Sequence, residues 1–88
     1  MMYEVKEGEI LFRVRRFDFQ RDEGCMSIDV RERVAGETPH KFEAVPNLRH
    51  EPCGKEFWGS GVSERDALED CLRRIKDIPI QVLFPPPK

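Results

Sequence analysis

The sequence predicts an α+β domain: a three- to four-stranded antiparallel meander with one C-terminal helix packed on one face. Two patterns carry this prediction. Residues 10–34 alternate apolar and charged side chains at a period of two on either side of a Gly-containing loop, and residues 63–76 place apolar side chains at helical spacing behind a Ser cap. A chain of 88 residues has room for one core. We therefore expect one domain over residues 1–84 and a Pro-rich flexible tail over 85–88.

The first strand runs from Glu9 to Phe19. Ile10, Phe12 and Val14 share one phase, whereas Phe17 and Phe19 share the other. Because a slip of one residue turns every later side chain to the opposite face, a bulge at Arg15-Arg16 is expected to reconcile them. Gln20-Arg21-Asp22-Glu23-Gly24 reads as a hairpin loop. The second strand then sets Met26, Ile28, Val30 and Val34 on one face, with Phe17 near Ile28 and Val14 near Val30.

Ala35 to Pro39 forms a second turn, and Lys41 to Val45 a short third strand. Pro46 to Gly54 holds two Pro, an Asn and a Gly and reads as a loop. Lys55 to Val62 reads as a fourth strand weakened at its end by Gly59 and Gly61. Ser63 caps the helix, with Asp66 three residues on. Ala67, Leu68, Cys71, Leu72 and Ile75 make its apolar stripe, and Pro79 stops it near Asp77. Ile80 to Phe84 reads as a short strand or an extended segment against the core. The expected core is Ile10, Phe12, Val14, Phe17, Ile28, Val30, Phe42, Leu68, Cys71, Leu72 and Ile75.

Charge narrows the function classes. Charged residues make up 36 % of the chain, but 15 basic and 17 acidic side chains leave a net charge of −2. With a pI near 5.7, the chain lacks the overall basic balance of an electrostatic nucleic-acid binder. Its polar, acidic start lacks the pattern of a secretory signal, and no apolar run approaches the roughly 20 residues that cross a bilayer. Cys25, Cys53 and Cys71 are odd in number and irregularly spaced, which points to a reducing compartment. The expectation is a cytoplasmic protein with no membrane contact.

The open face of the first hairpin is expected to present Arg13, Arg15 or Arg16, Arg31 and Arg33, with Asp29 among them. Guanidinium groups in such a row bind phosphates or carboxylates bidentately, or simply solubilise the sheet. Phe57 and Trp58 point to opposite faces of the fourth strand, and an aromatic ring beside arginines suits base stacking. The candidate binding face is therefore Arg13, Arg15, Arg31, Arg33 and Trp58. His50-Glu51-Pro52-Cys53 supplies one pair of a zinc-ligand set that needs two, with His40 farther upstream. A Cys53 nucleophile beside His50 lacks an assignable oxyanion loop and orienting acid. Gly59-Ser60-Gly61 resembles an anion cradle, yet Glu64 and Asp66 at the helix start would repel phosphate. No catalytic residue, metal or cofactor is expected.

Val45-Pro46-Asn47-Leu48, and then Gly59-Ser60-Gly61-Val62-Ser63-Glu64-Arg65-Asp66-Ala67-Leu68, are similar to the HicB-like antitoxin family. That family shows a strand ending in Val-Pro-Asp-Leu, a Gly before a Ser/Thr cap, and a helix opening with an acid and Ala-Leu. The resemblance spans residues 42–75. The stretch between Leu48 and Gly59 is longer than the family pattern, and the first hairpin is more charged. The resemblance implies a double-stranded-RNA-binding-like sheet-and-helix domain that acts by binding partners, itself or a cognate toxin among them, without catalytic residues. The leading expectation is a small non-enzymatic domain that binds a protein partner or a second copy of itself. RNA binding through the arginine-rich face is the alternative.

Overall fold

The computed structural model describes residues 3–86. Its elements are β1 (Leu11–Arg21), β2 (Gly24–Ala35), β3 (Phe42–Leu48), β4 (Glu51–Pro52), a 3-10 turn at Lys55–Phe57, β5 (Gly59–Gly61), α1 (Glu64–Ile75) and α2 (Ile80–Leu83). The sheet is antiparallel in the order β1-β2-β3-β4, with β5 also pairing with β3. The fold is α+β. The fourth strand of the meander is split: β4 pairs with the end of β3, β5 with its beginning, and the 3-10 turn bulges out between them.

Part of the expected loop is therefore strand. Pro46 to Leu48 completes β3, and Arg49-His50 turns the chain tightly into β4. Both turn residues have left-handed backbones (φ 51° and 70°), as a two-residue type I′ hairpin requires. Pro46 fits inside the sheet because its carbonyl accepts from the Cys53 N–H (3.1 Å), on the side away from β2. The amide nitrogen of an extended residue points the same way, so Pro46 removes no bond to β2.

The first hairpin pairs Phe17 with Ile28 as expected. The bulge, however, is not at Arg15-Arg16. The register shifts once, between Leu11 and Phe12, where Val34 becomes the extra residue, and β1 then alternates without interruption to Arg21. Val14 consequently lies opposite Arg31 rather than Val30 and is 53 % exposed. Phe12 shares its face, and Ile10 lies before the strand at 44 % exposed. These three leave the expected core. Ile28, Val30, Cys71 and Ile75 are buried, with Phe17, Phe42, Leu68 and Leu72 packed against them. Met26, Ala44, Cys53, Ala67 and Leu83 complete the buried cluster.

Helix α1 begins where the sequence places it, with the Ser63 hydroxyl accepting from the Asp66 N–H (3.1 Å). Ala67, Cys71 and Ile75 form its fully buried stripe. The helix rests directly on β5, and the glycines make this possible. A Cβ on Gly59 would stand 2.8 Å from the Cys71 Cα and closer still to the Ala67 carbonyl and the Cys71 amide. One on Gly61 would stand 2.6 Å from the Asp66 Cβ. Gly59 and Gly61 therefore set the helix-to-sheet distance. Asp70 reaches back from α1 to accept the Ser60 N–H (3.1 Å), so the outward-facing amide of this short strand is satisfied.

The C-terminal segment is neither strand nor extended. It is the one-turn helix α2, which buries Leu83. Arg21, at the end of β1, anchors it. The Arg21 guanidinium donates to the Ile75 carbonyl, which also accepts the Ile78 N–H (3.1 Å), and to the Ile78 carbonyl (2.6 Å) just beyond the end of α1. Glu23 pairs with Arg21 at 3.0 Å and accepts the Ile80 N–H at 3.4 Å. Pro85 and Pro86 are exposed. The remainder of the expected tail lies outside the described residues.

Candidate binding face

Strand alternation separates the five candidate residues. Arg13 and Arg15 share the helix-bearing face with Phe17 and Phe19, whereas Arg31 and Arg33 share the open face with Phe12, Val14 and Arg16. The expected four-arginine row therefore does not exist, because without a bulge at Arg15 the odd and even residues of β1 never meet on one side. Arg13 pairs with Glu32 at 3.4 Å, and Arg15 with Glu64 at the start of α1, also at 3.4 Å.

The open face is built around Arg31. Its guanidinium carbon lies 4.6 Å from the centre of the Phe12 ring and 5.0 Å from that of Trp58, so the cation sits against two aromatic rings. Glu43, across on β3, accepts from it at 3.1 Å. Trp58 is fixed in turn by its indole N–H, which donates to the Cys53 carbonyl at 3.1 Å. The 3-10 turn before Trp58 carries the side chain round to this face, and both Trp58 and Phe57 are half-buried against the core.

A second polar chain runs beside the stack. Arg16 reaches Asp29 through two contacts, at 2.8 and 3.2 Å, and Asn47 donates to the same carboxylate at 2.9 Å and to the Val45 carbonyl at 2.9 Å. The hydrogen bond to Asp29 raises the Arg16 pKa further above its ordinary value, with the carboxylate charge adding to it. Asn47 and Val45 are buried, so this face is closed over β3 and open over β1. Val14, Asp29, Arg31, Val45, Pro52 and Trp58 border a cleft of about 160 Å³. A larger cleft of about 670 Å³ shares Arg31 and Trp58 and adds His40, Lys55 and Arg74 to its border. Lys55 lies 5.8 Å from the Trp58 ring.

The remaining sequence candidates are placed elsewhere. His50 is exposed at the hairpin tip, whereas Cys53 is buried, its thiol directed to the Gly54 carbonyl at 3.5 Å. Burial pushes the Cys53 thiol up to about 11 and the Cys71 thiol to about 12, so both stay protonated near neutrality and neither is an activated nucleophile. Among the described residues no three His, Cys, Asp or Glu side chains gather to hold a metal ion. Gly59 and Gly61 lie under α1, and the Ser60 N–H is taken by Asp70, which leaves no anion cradle at the helix start. Among the described residues no helix is long and apolar enough to cross a membrane.

Sequence reasoning missed Phe12, Glu43 and Asn47 as members of this face and Arg21 as the anchor of the helix end. Phe12 depends on the β1 register set by the Leu11/Phe12 shift, Glu43 on the β2–β3 pairing, and Asn47 on β3 running on through the expected loop. Comparison with known proteins brings no further constraint: no protein-family model, curated protein or solved structure matches this chain.

Proposed function

We propose that this domain is a non-enzymatic binding module that docks a protein partner on the open sheet face around Arg31, as the HicB-like resemblance of residues 42–75 also suggests. The observation that carries the reading is the Phe12–Arg31–Trp58 stack beside exposed Val14. Arginine and aromatic side chains held rigid next to an apolar surface are the groups that dominate protein interfaces, because they bury much area at little entropic cost. Val45 to Leu48 close β3, and Ser63 caps the helix that carries Ala67-Leu68.

The charge arrangement favours a protein over RNA. Arg13, Arg15, Arg16 and Arg31 each face a carboxylate of this chain, so a phosphate backbone would have to displace Glu32, Glu64, Asp29 or Glu43 to reach them. The test is capture from a lysate of the protein's own source, with and without nuclease, on immobilised wild type, Val14→Asp and Val82→Asp. Val82 is as exposed as Val14 but lies on α2. The reading expects a protein retained after nuclease treatment by wild type and Val82→Asp, and lost on Val14→Asp. Retention that disappears with nuclease would instead establish the RNA reading. Equal retention by all three proteins would place the partner on another surface.

A further inference from the structure

We propose that β1 is a self-pairing edge, and that two copies of this chain join through it antiparallel, with Phe17 opposite Phe17 of the second copy, into one continuous sheet. The proposal goes beyond the open-face reading, since it concerns the edge of the sheet and leaves the Arg31 stack uncovered. β1 ends the strand order, and among the described residues no strand pairs with its outer side from Leu11 to Arg21. A strand of this length with one row of amides and carbonyls unpaired is a template for another strand.

The charges on β1 determine what that other strand is. Two antiparallel copies of one strand are related by a two-fold axis perpendicular to the sheet, so faces are preserved and odd residues meet odd, even meet even. Most registers then fail on charge. Centring the axis on Arg15, Arg16 or Asp18 sets each of these against its own copy, and centring it on Val14 sets Arg13 against Arg15 twice.

Centring on Phe17 gives a different result. Arg16 then meets Asp18 of the second copy, twice by symmetry, Arg15 meets Phe19, and Val14 meets Gln20. Asp18 makes no ion pair within its own chain among the described residues, and the half-exposed Arg16 guanidinium bonds Asp29 through Nε and one Nη, which leaves its other Nη for Asp18 of the second copy. The one like-charged match, Arg13 with Arg21, is muted. Arg21 is turned away onto the end of α1, and its side chain is only 12 % exposed. The same register brings the half-buried Phe17 rings of the two copies together. Among the registers centred from Val14 to Asp18 the arginines therefore leave this one, which pairs nine residues of β1; centring on Phe19 also avoids like charges but pairs only five.

The experiment is sedimentation of the full chain over a range of concentrations, for wild type, Asp18→Arg and the swap Arg16→Asp/Asp18→Arg, with folding followed by circular dichroism. Wild type should sediment as a dimer, Asp18→Arg as a monomer, and the swap as a dimer again. Register is read separately with Cys25→Ser removing the exposed native thiol. Under mild oxidation, Val14→Cys mixed with Gln20→Cys should form a disulfide-linked pair, and Val14→Cys alone should not. These exposed positions keep the test available if a charge variant fails to fold. A wild type that stays monomeric at every concentration overturns the proposal. So does an Asp18→Arg dimer as strong as wild type, or cross-linking of Val14→Cys with itself. Each of these results leaves the open-face reading standing, because partner capture through Val14 is measured independently.

Discussion

Gly59→Ala is the most demanding substitution the packing allows. The added methyl would stand 2.8 Å from the Cys71 Cα, with the Ala67 carbonyl and the Cys71 amide nearer still. All three are backbone groups of one helix, so no side chain can swing aside. Ordinary contact at about 3.4 Å requires α1 to lift from β5 by roughly 0.6 Å or more, and a gap of 0.5–1 Å forfeits a quarter to a half of each dispersion contact across it. Ala67, Cys71 and Ile75, all fully buried, lose those contacts together. Overpacking of this kind costs about 1–3 kcal/mol, and backbone on both sides puts Gly59→Ala at about 3 kcal/mol. Against a total of roughly 4–13 kcal/mol for a domain of this size, that is a large fraction. With a slope near 1 kcal/mol per molar, the urea midpoint should fall by about 3 M at fixed protein concentration, followed by circular dichroism and Trp58 fluorescence. Gly54→Ala is the control. Its methyl meets only the flexible Glu56 carboxylate, and its backbone (φ −61°) suits any residue, so the midpoint should hold or rise slightly. A Gly59→Ala protein within about 1 kcal/mol of wild type would refute the claim that the glycine sets the helix-to-sheet distance.

Arg21→Met keeps the aliphatic stem but strips the Ile75 and Ile78 carbonyls of their charged donor, and should cost about 2 kcal/mol by thermal or urea unfolding. Burial disfavours ionisation of Asp70, but the Ser60 N–H and the Arg74 and Arg73 guanidinium groups outweigh it and hold the carboxyl below its usual range. Its contribution is therefore present above about pH 4 and lost as pH falls through the lowered folded value. The stability gap between wild type and Asp70→Asn, of about 1 kcal/mol at pH 7, should close in acid. A thiol reagent at neutral pH should modify only exposed Cys25 in the native protein, and Cys53 and Cys71 only after unfolding. Arg49→Asn/His50→Gly should raise stability by about 1 kcal/mol, since both positions already hold left-handed backbones.

These effects also show which parts of the structure were legible in the sequence. The helix was, because its cap and stripe are local: Ser63, Ala67, Cys71 and Ile75 act within one element. The Phe17–Ile28 pairing was legible too, because hairpin loop length fixes register near the turn. The faces of β1 farther from the turn were not. Its apolar residues occupy both phases, and either a bulge or an apolar open face accommodates them. The chain does the latter, placing Phe12 against Arg31 and leaving Val14 exposed. That choice moved Arg13 and Arg15 off the candidate face and made the Arg31 stack invisible to alternation alone. The left-handed Arg49-His50 turn was hidden for another reason: neither residue carries the Asn-Gly signature that marks such hairpins. Arg21 was hidden because its partners lie 54 and 57 residues away in sequence.

Whether the open face is the binding surface is read most directly from backbone amide and indole NMR shifts of the labelled domain on adding its captured partner. The expected shifts fall at Phe12, Val14, Arg31, Val45 and the Trp58 indole N–H, and spare the exposed side of α1. Shifts confined to α1 or to the Arg49-His50 hairpin, with the Trp58 indole unmoved, would contradict the assignment.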